Sequence, residues 1–382
     1  MLAPSLDTRD LICLSHLRWN FVFQRPQHLL TRCAADRRVY YVEEPFFDAD
    51  REPRLDLQRS GNLTVVVPHL PPYLSAVEQN ETQRQLLDDL LVSERITRYL
   101  LWFYTPMALG FTDHLRPEAI VYDCMDELSA FKNAPLDLRL REAELLRRAS
   151  VVFTGGHSLY EAKRDCHPNV RAFPSSVDVE HFARARRLTG NPVDQARIPH
   201  PRLGFFGVID ERMDLELLDG VAAARPEWQL VMLGPVVKID PGSLPSAPNI
   251  HYLGSKTYDE LPHYIAGWEV AMLPFARNDA TRFISPTKTP EYMAAGKPVV
   301  STSIRDVVRP YGQQGLVRIA DTVEEFVAAC EAALSEDAVA RIRAHDAFLR
   351  HTSWDGTWAQ MRSLVHAALD TDTQPARAAG AL

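Results

Sequence analysis

A chain of 382 residues is too long for one comfortable hydrophobic core and reads as two domains of under 200 residues each. Its net charge of −8 is evenly spread, with 22 basic against 26 acidic residues through Arg184 and 20 against 24 beyond, so no basic half points to nucleic acid. Five cysteines, scattered and without CxxC spacing, speak against disulfides and a zinc site, and no apolar run approaches the roughly 20 residues that span a bilayer.

The opening MLAPSLDTRD lacks the pattern of a signal peptide, so a cytoplasmic protein with at most peripheral membrane contact is expected. Asp10 to Ser15 (DLICLS) predicts a first buried parallel strand, followed by the loop HLRWNFVFQRP and a helix from Gln27 to Ala35. Ligands of open α/β sheets gather beyond the carboxyl ends of strands, which directs His16, Arg18, Trp19, Arg25 and His28 toward a cleft. The loop holds no glycine. Without a GxGxxG fingerprint a nicotinamide or flavin enzyme is disfavoured.

RRVYYVEEP and NLTVVVPHL predict strands, Val77 to Tyr99 a helix, and Leu100 to Tyr104 another strand. Ala119 to Tyr122 (AIVY) runs directly into Asp123, Asp126 and Glu127, carboxylates that act either on substrate or as caps of the next turn. Leu136 to Arg148 predicts a solvated amphipathic helix. SVVFT predicts a strand, Gly155-Gly156-His157-Ser158 a turn into a helix, and Ala172-Phe173-Pro174 leads on to Ser175-Ser176-Val177-Asp178. Such alternation predicts a parallel, doubly wound sheet over residues 1–184.

ARRLTGNPVDQARIPHP, residues 185–201, has the Pro, Gly and polar content of an interdomain linker. Strand–helix alternation then resumes (LGFFGV, QLVMLGP, NIHYLG, EVAMLPF, KPVVST, GLVRI) and predicts a second Rossmann-like domain over 202–350. Trp354 and Trp358 lie four apart, on one face of a terminal helix over 351–370 that is expected to return to the first domain. Residues 371–382 predict a disordered tail.

FISPTKTPEYMAAGKPVVST, Phe283 to Thr302, is the stretch richest in chemistry. A helix ends on Gly296 and turns through Pro298 into a buried strand. Its start is either Ser285 as N-cap with Pro286 first, favoured with a kink at Pro290, or Thr289 as cap with Pro290 first. Lys288 and Glu291, three apart, share a face, which puts a phosphate cation beside a carboxylate for sugar hydroxyls near a helix N-terminus. The same pair also fits an ordinary solvated Lys–Glu contact.

Two tandem Rossmann-like domains with such a helix late in the second resemble the GT-B glycosyltransferases. EYMAAGKPVVST is similar to the donor helix and strand of the nucleotide-sugar-dependent family 4, VVFTGGHSLYEAK with FPSSVDVEHF to its interdomain region, and NIHYLGSKTYDELPHYIAGWEVAMLPF to its nucleobase side. LSHLRWNFVFQRPQHLL and YDCMDE resemble a bacterial subgroup that includes teichuronic acid and exopolysaccharide glycosyltransferases.

The resemblance implies a glycosyltransferase that moves a sugar from a nucleotide-diphosphate sugar to a glycan or lipid-linked acceptor, with no cofactor and no metal. It gives Glu291 the ribose hydroxyls and gives the diphosphate to Lys288, Arg212 and the backbone N–H groups from Ser285 to Lys288, Thr287 among them. Gly207 follows the first strand of the second domain, and Gly254, Ser255 and Lys256 border the base. On the acceptor side it places Arg18, Arg25 and His28, with Asp126, Asp123 or His16 as general base if the reaction inverts. Two positions depart from the family pattern: Phe283 stands where a retaining enzyme has a glutamate, and Gly207-Val208 stands for the usual Gly-Arg. A nucleotide-sugar 2-epimerase or a non-catalytic nucleotide-sugar-binding partner are the alternatives.

Overall fold

Strands β1 (Asp10–Leu14), β2 (Val39–Val42), β3 (Phe46–Phe47), β4 (Arg54–Ser60), β5 (Leu63–Leu70), β6 (Tyr99–Phe103), β7 (Ala119–Cys124), β8 (Val151–Thr154) and β9 (Val170–Ala172) form the first sheet. Their order is β3-β5-β2-β1-β6-β7-β8-β9, all parallel, with β4 antiparallel to β5 at the edge. This computed structural model describes residues 8–48 and 52–372. Every residue of β1, β6, β7 and β8 is buried, because helices cover both faces of a parallel sheet, and this is why those strands read as unbroken apolar runs. By contrast β4, RLDLQRS, is polar, lies at an edge and carried no strand signal.

The second sheet contains β10 (Arg202–Phe206), β11 (Gln229–Leu233), β12 (Ile250–Tyr252), β13 (Val270–Leu273), β14 (Val299–Ser301) and β15 (Arg318–Ile319). It is parallel throughout in the order β12-β11-β10-β13-β14-β15. Both sheets thus reverse direction next to their first strand, and at such a switch point the loops part to leave a crevice.

Residues 185–201 are not a free linker. Ala185 and Ile198 belong to the second core, and buried Gln195 accepts the indole N–H of Trp268 at 2.9 Å and donates to the Tyr264 carbonyl at 2.9 Å. The chain changes domain earlier. Phe173 packs in the first core and Val177 in the second, so the crossing is Pro174–Ser176. It crosses back between Leu349, in the second core, and Trp354. The helix Trp354–Asp372 lays Trp354, Trp358, Met361 and Val365 against Trp102 and Phe153 of the first domain. This helix runs two residues into the segment expected to be disordered; residues 373–382 lie outside the described residues.

The helix after Phe283 starts at neither expected place. It runs Lys288–Ala294 with Thr287 as N-cap, after a tight turn in which the Thr289 N–H donates to the Pro286 carbonyl at 3.2 Å. Pro290 is its third residue. There a missing N–H is harmless, since the first turn has no intrahelical acceptor, so no kink is needed. The Tyr292 hydroxyl accepts the Phe206 N–H at 3.0 Å and ties this helix to the end of β10.

Candidate active site

β10 ends at Gly207, whose φ of +139° turns the chain away from the sheet. A Cβ at this position would stand 2.1 Å from Cε of Lys288, so only glycine lets that lysine lie across the strand end. The following loop carries Asp210 and Arg212, paired at 2.9 Å (Nε to Oδ1) and 2.8 Å (Nη2 to Oδ2). Beyond β11, Lys238 adopts φ +62°, a left-handed conformation unusual for lysine. Its Nζ stands 5.0 Å above the Phe131 ring of the first domain, which Arg212 approaches at 5.7 Å. Next to it the Lys132 N–H donates to Glu211 Oε1 at 3.1 Å, across the domain junction.

Lys288 and Glu291 are one buried, mutually attracting pair. Burial pushes the Glu291 carboxyl up, against the pull of Lys288 and a hydrogen bond from Thr287. Burial pushes the Lys288 ammonium down, with Glu291 opposing and Arg212 adding to the fall. Glu291 is only 6% exposed, yet its Oε2 has no hydrogen-bond partner. A buried carboxylate oxygen without a donor is costly, and that vacancy suits a ligand with hydroxyls.

From the first domain, Asp126 faces this cluster. Its carboxyl is raised, chiefly by burial, while Arg212 pulls it down and Asp210 pushes it up. His16 sits nearby, lowered to about 4 by burial and by Lys238, so it is neutral near pH 7, with a buried Nδ1 that has no partner. The structure therefore brings together His16, Asp126, Arg212, Lys288 and Glu291, with Gly207 making room.

Several other expected site residues have structural roles. Asp123 is fully buried and receives two hydrogen bonds from Arg25, at 3.0 Å from Nε and 2.8 Å from Nη2; Arg25 also donates to the Phe173 carbonyl at 2.7 Å. A carboxylate held this way cannot serve as base, and the arginine is closed to an acceptor. Arg18 is held by Glu43 at 3.1 Å and by the Glu44 and Pro45 carbonyls, with its guanidinium 3.8 Å over Phe46. His28 stacks on Trp354 at 4.5 Å. Arg18 and Arg25 are thus held by partners of the first domain, and His28 also packs against Tyr258 of the second at 5.5 Å.

Ser285 approaches Gly156 of the first domain, and Thr287 precedes the helix with its side chain hydrogen-bonded to Glu291. Gly254, at φ +69°, and exposed Ser255 follow β12, while Lys256 pairs with Asp194 at 2.7 Å. Sequence reasoning missed Asp210, Lys238 and Phe131. The available signal was position: GVIDERMD and PVVKID both follow strand ends of the second sheet.

Residues 200–336 match the family profile described as Glycosyl transferases group 1. The Bacillus subtilis (strain 168) glycosyltransferase TuaH, named for teichuronic acid biosynthesis, is 26% identical over 275 residues, 66% of this chain and 68% of TuaH. The chain has the GT-B fold. Solved structures share this fold. Sucrose-phosphate synthase from Thermosynechococcus elongatus superposes with a TM-score of 0.68 at 13% identity, covering 95% of this chain and 100% of that one. An α,α-trehalose-phosphate synthase from Burkholderia vietnamiensis gives 0.70 at 12%, covering 97% and 99%. Anabaena HepE, solved with UDP and glucose, gives 0.63 at 14%, covering 94% and 99%.

Proposed function

We propose that the transferase moves a sugar from a nucleoside-diphosphate donor onto a glycan or lipid-linked acceptor of a cell-surface polysaccharide, on the cytoplasmic side and without a metal. The observation that carries this reading is the unpartnered Oε2 of buried Glu291 beside Lys288. Ribose hydroxyls supply the donors that oxygen lacks. The diphosphate then lies among Lys288, Arg212 and Lys238, cations that meet the charge growing on the leaving group as its bond to the anomeric carbon breaks. The acceptor oxygen forms the new bond, and Asp126 takes its proton, with neutral His16 as a second acceptor of hydrogen bonds.

For the acceptor, a 600 Å³ cavity between the domains offers Arg139 and Arg282 beside Phe283, while Lys163 in its wall is paired with Glu127 and Glu142 at 2.7 Å each. TuaH's name supports the class of product, and the UDP and glucose in HepE support the class of donor. Among the described residues no helix is long and apolar enough to cross a membrane.

Purified protein in EDTA, mixed with a panel of nucleotide sugars and with free UDP and GDP, is expected to show a thermal upshift and slow release of nucleotide with at least one sugar. No shift with any member overturns the reading. Interconversion of sugars without nucleotide release would instead establish an epimerase.

A further inference from the structure

A cavity of 660 Å³ lies where the chain crosses between domains; Ser285 of the expected donor residues lines it, and none of His16, Asp126, Arg212, Lys288 or Glu291 does. Its volume is in the range of small-molecule sites. One wall is the crossing itself, Phe173 to Ser176; a second is the segment Asp306 to Tyr311 of the second domain; a third is the terminal helix, at Thr357, Gln360 and Ser363. The second wall meets the first domain at a tight junction. Asp306 Oδ1 accepts the Ser158 N–H at 2.9 Å, and a Cβ on Gly156 would fall 2.1 Å from Asp306 Oδ2.

Two features of this cavity call for a ligand. Ser176 is 2% exposed and its Oγ has no hydrogen-bond partner, while Asp306, 4% exposed and hydrogen-bonded by the Ser158 and His157 backbone, keeps its Oδ2 without one. Such groups are costly unless something fills their valences, and a hydroxylated molecule fills both. At the rim stand two arginines. Arg171 is exposed and uses one N–H on the Val170 carbonyl at 2.8 Å, while Arg309 is 59% exposed and only 4.0 Å from Glu161. Each keeps guanidinium donors for a phosphate or carboxylate.

We propose that this cavity is a second ligand site, adjoining the donor cluster at Ser285 but not lined by its charged residues, that takes a hydroxylated small molecule bearing a phosphate or carboxylate. Its walls belong to both domains, so an occupant contacts the two at once and favours the arrangement in which they meet. Any effect on the donor site follows from that differential contact.

The test is calorimetric titration of the full chain, with UDP saturating and again without it, using hexose 6-phosphates, hexuronates, inorganic phosphate and neutral hexoses as separate probes. A hexose phosphate or hexuronate is expected to bind under both conditions, more tightly than phosphate or hexose. Arg171→Ala with Arg309→Ala should weaken it about tenfold or more, as loss of charged hydrogen bonds implies. Ser363→Trp, at an exposed position on the terminal helix, should block it. UDP affinity measured alone should stay within about twofold in these variants, which also reports that they are folded. Binding of no probe with UDP present, or binding undiminished by either change, overturns the proposal.

Discussion

Glu291 keeps one oxygen without a donor in a setting that Lys288 only partly neutralises, and that imbalance is what a ribose would relieve. Glu291→Ala should therefore weaken UDP binding about ten-fold or more, and Lys288→Ala should weaken it further, since a charged hydrogen bond contributes about 1.5–3 kcal/mol. Equal affinities in folded variants, by calorimetry, would remove both from the donor site. Asp126 works as a base only when ionised, and burial holds its carboxyl above the ordinary aspartate range. The rate should then fall as pH drops through that raised value. Asp126→Asn should lose this acid limb together with about 10²–10⁴ of kcat, while UDP affinity is retained. Unaltered kcat would shift the proton to His16. Lys288 and Glu291 were readable beforehand because helical spacing of three puts them on one face.

Arg25 and Asp123 show the opposite case at the scale of elements. They stand 98 residues apart, and only the pairing of β1, β6 and β7 brings the helix Arg25–Cys33 over the end of β7. A polar residue past a strand end looks the same in sequence whether it meets substrate or a buried arginine. Asp123→Ala should destabilise the protein by about 3–5 kcal/mol in denaturant unfolding, because Arg25 is left buried without its counter-charge. Loss of activity with full stability would restore Asp123 as a candidate base. Turn chemistry was similarly ambiguous around Pro286 and Pro290, where two Ser/Thr-Pro pairs competed and the bond from Phe206 to Tyr292 anchors the helix that formed.

At the scale of the molecule, the domains are joined by a cluster in which His28 stacks on Trp354, Phe23 meets Tyr258, and Tyr258 stacks on His181. Burial, then Arg32, lowers His28 to about 3. Its folded value is below its unfolded one of about 6.5, so its contribution is complete above pH 6.5 and is lost as pH falls toward 3. The melting temperature should decline between pH 6.5 and 5, and His28→Phe, which keeps a ring on Trp354, should flatten that decline; an unchanged slope would exclude His28 as its source. Trp358→Ala opens a cavity against Trp102 and should cost about 3–5 kcal/mol, read as earlier unfolding of the first domain.

What the sequence determined by itself was periodic or local: the alternation of apolar strands and helices, hence two parallel-sheet domains, and the Lys288–Glu291 pair on one helix. Tertiary structure decided what depends on distant partners. It paired Asp123 with Arg25, Arg18 with Glu43 and His28 with Trp354, moved the domain crossing to Pro174–Ser176, and set Asp210 beside Arg212 and Lys238 over Phe131. The reason is physical: helix and strand periods are written in neighbouring residues, whereas a charge's role is set by whichever group from another element stands against it.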